Sequence, residues 1–284
     1  MDSLIIEKEL FGGKIQIIVY NPLKNAKRIV NKMYNEGLRL QKIFNFFDKE
    51  SELSRLNEKK QMQVSPEMIE VVKKSLEFAE LTEGKYNPLL GKQIMQRKSK
   101  EKEKPLKISY KDLEINRNEI ILKNPEAMLD LGSIAKGYIT DKLAEFLKSK
   151  GITEFIINSR GDIIFSGETE HVIGIQNPRE MEKAIMNVKV KNKCIATSGD
   201  YKQFYGSYKK SHILNGNDAI SITTIADTLE DADVIATALF VSNEKQRDKI
   251  LKKFKNIKAL IIKENLAKKK YNNFDDIIKN ETAN

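Results

Sequence analysis

Residues 154–167 read EFIINSRGDIIFSG: two short apolar runs, Phe155–Ile157 and Ile163–Phe165, separated by the turn-forming NSRGD. Strands this close in sequence pair antiparallel, because a parallel pair needs a crossover of about a dozen residues or more. The pattern continues downstream with HVIGIQ at 171–176, AIMNVKV at 184–190, CIAT at 194–197, AISITTIA at 219–226 and IKALII at 257–262. Upstream, SLIIEKEL and KIQIIVY flank FGG and read as a further hairpin, and 119–122 and 127–131 read as short strands. Helical patterns lie between these runs without a regular βαβα alternation. One runs from Leu23 to Phe44, with Ile29, Val30, Met33, Leu40 and Ile43 on one side. A second opens on Ser65 as N-cap with Pro66 in first position, carries Ile69, Val72, Leu76 and Ala79, and ends at Gly84. A third runs from Ser133 to Lys150 with Ile139, Leu143, Phe146 and Leu147 on one face, and a fourth covers LEDADVIATALFV at 229–241. Together they predict an α+β fold, with mixed, largely antiparallel sheets and packed helices, and not a doubly wound sheet. The chain is expected to form a single domain over 1–284. Residues 45–57 read as a polar loop, QRKSKEKEKPLK at 96–107 as an exposed charged insertion, and the Lys- and Asn-rich stretch after about residue 264 as a loose tail.

The 284 residues are 40% hydrophobic and carry a formal net charge of +10, enough apolar material for one sizeable core and a charge that suits an anionic partner. The excess is mostly lysine spread along the chain, and there is no aromatic-basic interleaving or nucleic-acid-binding motif. The single cysteine, Cys194 in KCIATSG, excludes an intrachain disulfide and a Cys-rich metal site, and reads as a small buried hydrophobe. No stretch reaches the roughly 18 apolar residues of a membrane helix. The acidic, strand-like N-terminus lacks the basic and apolar regions of a signal peptide, which places the chain as written in the cytoplasm, or outside it if the sequence is a processed form.

Chemistry concentrates in LDLGSIAKGYITDKL, residues 129–143. Ser133 opens a helix whose first backbone N–H groups attract anions. Gly132 and Gly137 would let a phosphate-bearing ligand approach the backbone, and Lys136 adds a full positive charge in the first turn. The ordinary alternative is an N-capped helix with an incidental lysine. The pattern is neither a Walker A motif nor G-x-G-x-x-G, so a common NTPase or Rossmann site is not supported. In EDADVIATAL, Asp233 and Thr237 lie four apart on one helix face, a carboxylate and a hydroxyl suited to Mg2+, although in isolation a solvated acidic helix start is the stronger reading. His212, in a loop after Ser211, can take a proton near neutral pH, whereas His171 opens a strand and reads as structural. Asn158, Gly161 and Asp162 form a turn at a strand end. No G-x-S-x-G elbow supports a Ser-His-Asp hydrolase.

Taken in order, these segments resemble the ApbE-type FAD:protein FMN transferases over nearly the whole chain. The motifs that match are Phe47-Asp48 followed by SELSRLN at 51–57, GKYNPLLG at 84–91, Asp130 through Asp141, the turn ending in Gly161-Asp162, SGDY at 198–201, SHI at 211–213 and ADVIATAL at 232–239. The resemblance implies cleavage of the FAD pyrophosphate and transfer of FMN to a threonine or serine hydroxyl of an acceptor protein, with release of AMP. It implies Mg2+ on the Ser133 carbonyl, Asp233 and Thr237, and Lys136 beside the pyrophosphate. Phe47, Asp48, Asn87, Asp130, Asn158, Gly161, Asp162 and Ser198 would hold the rest of FAD, and His212, with Asp200 as the next candidate, would take the acceptor proton. Three positions depart from the family pattern. Arg160 replaces the first glycine of its G-G-D turn, Asn87 replaces an aspartate, and LNGNDAISITTIA after His212 is shorter than the usual D-P-x-T-G-x-P loop. The alternatives are an FAD pyrophosphatase giving AMP and FMN, and a non-catalytic flavin carrier.

Overall fold

The computed structural model describes residues 2–98, 106–200, 204–205, 207–211 and 218–281. The chain opens with a hairpin of β1 (Ser3–Leu10) and β2 (Gly13–Tyr20), turned through Phe11 and Gly12, both at positive φ. Next come α1 (Ala26–Phe44), α2 (Glu52–Lys59), β3 (Gln61–Gln63), α3 (Pro66–Leu81) and α4 (Gly91–Lys98). β4 (Leu113–Asn116) and β5 (Glu119–Leu122) complete a small sheet of order β3-β5-β4, and α5 (Gly132–Ser149) follows. The predicted strand run then forms as β6 (Phe155–Ser159), β7 (Asp162–Ser166), β8 (His171–Gln176), β9 (Ala184–Val190) and β10 (Cys194–Gly199). β11 (Phe204–Tyr205) and β12 (Ser207–Ser211) pair with each other. β13 (Ala219–Ala226), α6 (Leu229–Phe240), α7 (Glu244–Lys253), β14 (Lys258–Lys263), β15 (Lys268–Tyr271) and β16 (Ile278–Glu281) end the described chain.

The main sheet has eight strands in the order β1-β2-β6-β7-β10-β13-β14-β15, with antiparallel pairing throughout. The α+β prediction holds. One face is covered by helices: α5 packs between α1 and α6, and α6 lies on β10 and β13. The other face buries Phe165, Ile195, Ile220, Ile225, Leu260 and Ile262 against Ile185, Met186 and Val188 of the sheet β16-β9-β8. β13 is therefore buried at all eight positions, which explains its continuous apolar and threonine sequence.

Several expectations differ from the structure. Residues 45–57 are not wholly loop: Ser51 accepts the Ser54 N–H at 2.9 Å and starts α2, which buries Leu53 and Leu56. The buried stripe of α3 is Met68, Val71, Val72, Ser75, Phe78 and Ala79, turned by about one position from the expected face, so that Ile69 and Leu76 are only partly buried. Residues 127–131 form no strand beyond an isolated bridge between Leu90 and Met128. Of the charged run 96–107, Gln96–Lys98 end α4, and 99–105 lie outside the described residues. The region after 264 forms β15 and β16, and Phe274 is fully buried in the second core. A few well-placed apolar side chains outweigh the polar composition there.

Candidate functional site

Three loops meet at the N-terminus of α5. The buried Asn57 of α2 donates to the Leu129 carbonyl at 2.8 Å and accepts the Leu129 N–H at 2.7 Å, replacing a strand partner with a side-chain amide. The Asp130 N–H bonds the Pro88 carbonyl and the Gly91 N–H bonds the Met128 carbonyl, so residues 88–91 run alongside 128–130. A Cβ at Gly91 would lie 2.8 Å from the Met128 carbonyl oxygen and 2.9 Å from the Phe46 ring, so only glycine fits there. The segments carrying Phe47-Asp48, Asn87 and Asp130–Ser133 are thus neighbours, although they are far apart in sequence.

Within this group, Phe47 is 69% exposed and meets Phe46 edge-on. Asp48 accepts the Glu50 N–H at 3.0 Å. Asn87 spends its amide on the Ile108 carbonyl and the Leu89 N–H, which makes it a brace for its own loop. Asp130 accepts the Gly132 N–H at 2.7 Å. Ser133 stands in the first turn of α5 and not at its cap, which is Leu131. Tyr86, in the neighbouring loop, is buried and donates to Ser75 at 3.3 Å, and burial pushes its hydroxyl well above its ordinary pKa.

One turn further along α5, Lys136 bonds the Asp162 carboxylate, and its Nζ lies 3.9 Å from Asp233 Oδ2. Asp162 starts β7, is 5% exposed, and also accepts the Thr197 N–H from β10 at 3.2 Å. Asp233 comes from α6 and is 8% exposed. Burial, opposed by Lys136 and reinforced by Asp162, raises the Asp233 carboxyl above its ordinary value. Burial alone would lower the Lys136 ammonium, but Asp233 and Asp162 outweigh it and raise it. Asp233 Oδ2 is buried without a hydrogen-bond partner, a costly state that an added cation would relieve. Thr237, one turn on, shares a 3.3 Å hydrogen bond with Ser198 of β10. The donor set that fits a hard cation is therefore one carboxylate with hydroxyl and carbonyl oxygens. No cluster of three or more His, Cys, Asp or Glu side chains offers a rival metal site among the described residues.

The turn before β7 carries Asn158, which accepts the Gly161 N–H at 2.8 Å. Arg160 takes φ of 60° there and donates to the Phe11 carbonyl at 2.6 Å, so its guanidinium braces the β1–β2 turn. Gly137 does not open a path for ligand: a Cβ there would lie 2.6 Å from Glu230 Cα, because the start of α6 is pressed against it. Asp200 is 7% exposed, and both carboxylate oxygens are held by Arg179, at 3.0 and 3.1 Å. Such bidentate binding suits a brace better than a free base. His212 lies outside the described residues. Cys194 is buried, and burial pushes its thiol well up. His171 stacks on Tyr20 and packs on Phe165, a structural role as expected. Arg179, Tyr86 and Asn57 are not expected from the sequence as site braces; Asn57 and Tyr86 do stand inside the matching stretches SELSRLN and GKYNPLLG, whereas nothing local marks Arg179. A depression of about 500 Å³, lined by Asp248, Lys252, Tyr271 and Asn272 at the α7–β15 edge, involves none of these groups.

Residues 11–261 match the model of the ApbE family. An FAD:protein FMN transferase of Vibrio cholerae is 26% identical over 230 residues, 70% of this chain and 69% of that protein. One of Klebsiella pneumoniae is 28% identical over 156 residues, 51% of this chain and 49% of that protein. Among solved structures, the ApbE protein of Thermotoga maritima superimposes with a TM-score of 0.84 at 23% identity, covering 98% of this chain and 100% of that one. The flavin transferase ApbE of Vibrio cholerae gives 0.82 at 22% identity, covering 97% and 99%.

Proposed function

The chain belongs to the ApbE family, and from that premise we propose that it is a Mg2+-dependent FAD:protein FMN transferase. The observation that best supports this reading is the group formed by the part-buried Lys136 and the buried Asp162 and Asp233, in which one carboxylate oxygen, Asp233 Oδ2, has no hydrogen-bond partner. A cation and a pyrophosphate together would satisfy that arrangement: the cation completes Asp233, and the phosphate takes up the Lys136 charge. Asp233, Thr237 and the Ser133 carbonyl would hold Mg2+, which when bound neutralises phosphate charge. The Asp130–Ser133 segment, Asn158, Gly161, Asp162 and Ser198 would line the nucleotide, with Phe47, Asp48 and Asn87 toward the flavin end.

In the proposed reaction a threonine or serine hydroxyl of an acceptor protein attacks the FMN phosphorus. The phosphorus–oxygen bond to AMP breaks, AMP leaves with the bridging oxygen, and the hydroxyl proton passes to His212. Lys136 keeps the pyrophosphate in line for that attack. Asp200, engaged by Arg179, serves in this reading to fix the end of β10 next to Ser198. The single domain expected over 1–284 is part of the same proposal. No helix among the described residues is long and apolar enough to cross a membrane.

The test is incubation with FAD, Mg2+ and a flavin-acceptor protein. AMP release with a mass gain of FMN on the acceptor is the expected result. AMP and free FMN without acceptor labelling would replace transfer by hydrolysis, and bound, uncleaved FAD would make the protein a carrier.

A further inference from the structure

The start of α6 is docked on α5 by contacts that the reaction does not explain. Asp141 accepts the Leu229 N–H and the Glu230 N–H, both at 2.9 Å. These are the first donors of α6, which no residue of that helix can satisfy. The third, from Asp231, goes to the Thr228 side chain at 3.2 Å. Four residues before Asp141, on the same face of α5, Gly137 receives the α6 backbone. A Cβ there would lie 2.6 Å from Glu230 Cα, 2.7 Å from Glu230 N and 2.9 Å from the Leu229 carbonyl carbon. From the other side, Lys74 of α3 bonds Glu230 at 2.5 Å.

We infer that Asp141 is a positioning residue: with Gly137 it fixes the axial placement of α6, and thereby the place of Asp233 and Thr237 opposite Lys136. This rests on the flavin-transfer reading of the site. Lys136 and Gly137 are adjacent on α5, and Asp233 follows Leu229 by one helical turn. The 3.9 Å separation of Lys136 and Asp233 therefore inherits any error in the α5–α6 contact. Moving α6 by one residue along its axis shifts Asp233 by about 1.5 Å, and about 1 Å is enough to cost a positioned site roughly a hundredfold. Asp141 touches neither substrate nor metal in this scheme. It acts only through the helix it caps.

Asp141→Asn tests this with little change in volume, since the amide can accept one N–H but turns its own donors toward the other. Gly137→Ala tests the same contact by a steric route, and Glu145→Ala, an exposed residue one turn beyond Asp141, is the control. Metal binding is read directly by titrating Mn2+ into the metal-free proteins with detection of free Mn2+ by electron paramagnetic resonance, well below each melting temperature. Single-turnover flavin transfer and FAD affinity are measured on the same samples. The expected result for Asp141→Asn and Gly137→Ala is metal affinity lower by about 10- to 100-fold, a comparable loss in transfer rate, and FAD affinity without metal within about threefold of wild type. Should Gly137→Ala fail to fold, Asp141→Asn decides. A folded Asp141→Asn protein with wild-type metal affinity and rate would overturn the inference, because it would leave Asp141 a role in stability alone. A wild-type protein that binds neither Mn2+ nor FAD would instead remove the flavin-transfer reading, and this inference with it.

Discussion

Lys136 and Asp233 show how a site is made from groups that the isolated fold tolerates poorly. Lys136 is drawn to two buried carboxylates, and one oxygen of Asp233 has no hydrogen-bond partner. If Lys136 grips phosphate, Lys136→Ala should weaken FAD binding by roughly 10- to 100-fold, the worth of a charge-assisted bond, while riboflavin, which has no phosphate, loses little. Calorimetry with both ligands checks this, and equal losses would make Lys136 structural. Asp233 makes a prediction about pH. Burial raises its folded-state value, so the folded protein holds that proton more tightly than the unfolded chain does. The resulting stabilisation is complete below the ordinary carboxylate range, around pH 4, and is lost as pH rises through the raised value. At pH 8 the metal-free protein therefore carries an unfavourable buried charge. Asp233→Asn should raise its melting temperature by roughly 2–4 °C for each kcal/mol relieved, give no gain near pH 4, and remove stabilisation by Mg2+. Scanning calorimetry in chelator and in Mg2+ reads all three, and a lower melting temperature at pH 8 would contradict the assignment.

At the scale of elements, the site depends on side chains that hold loops in place of strand partners. Asn57 is the clearest: 5% exposed, it satisfies both backbone groups of Leu129 just before α5. Asn57→Leu keeps the volume but leaves a buried N–H and C=O unpaired, which should lower stability by about 2–4 kcal/mol. It should also weaken FAD binding, because residues 130–133 lose their anchor. Denaturant unfolding together with FAD titration measures both. A stability loss with unchanged FAD affinity would separate α2 from the site.

For the whole molecule, the second sheet matters more than its peripheral place suggests. Phe274, from a region of polar composition, fills the core between β9 and the back of the main sheet. Phe274→Ala should cost about 3–5 kcal/mol, measured by urea unfolding. A cost below 1 kcal/mol would show that the C-terminal region does not belong to the cooperative unit.

The sequence by itself determined the antiparallel α+β plan, since closely spaced apolar runs such as those of β6 and β7 leave no room for crossovers. It also named Lys136, Asp162, Asp233 and Thr237, but through motifs that match the family pattern in order, since taken singly Asp162 reads as a turn and Asp233 as an ordinary acidic helix start. Only the tertiary structure decided which of these meet. The Lys136–Asp162–Asp233 contact joins α5, β7 and α6, and no local periodicity encodes a distance across three elements. It also decided that Gly137 serves a helix and not a ligand, that Arg160 faces the β1–β2 turn, that Asp200 is held by Arg179, and that the end of the chain packs. In each case the partner is remote in sequence, and the outcome depends on burial and hydrogen-bond pairing that exist only once the layers close.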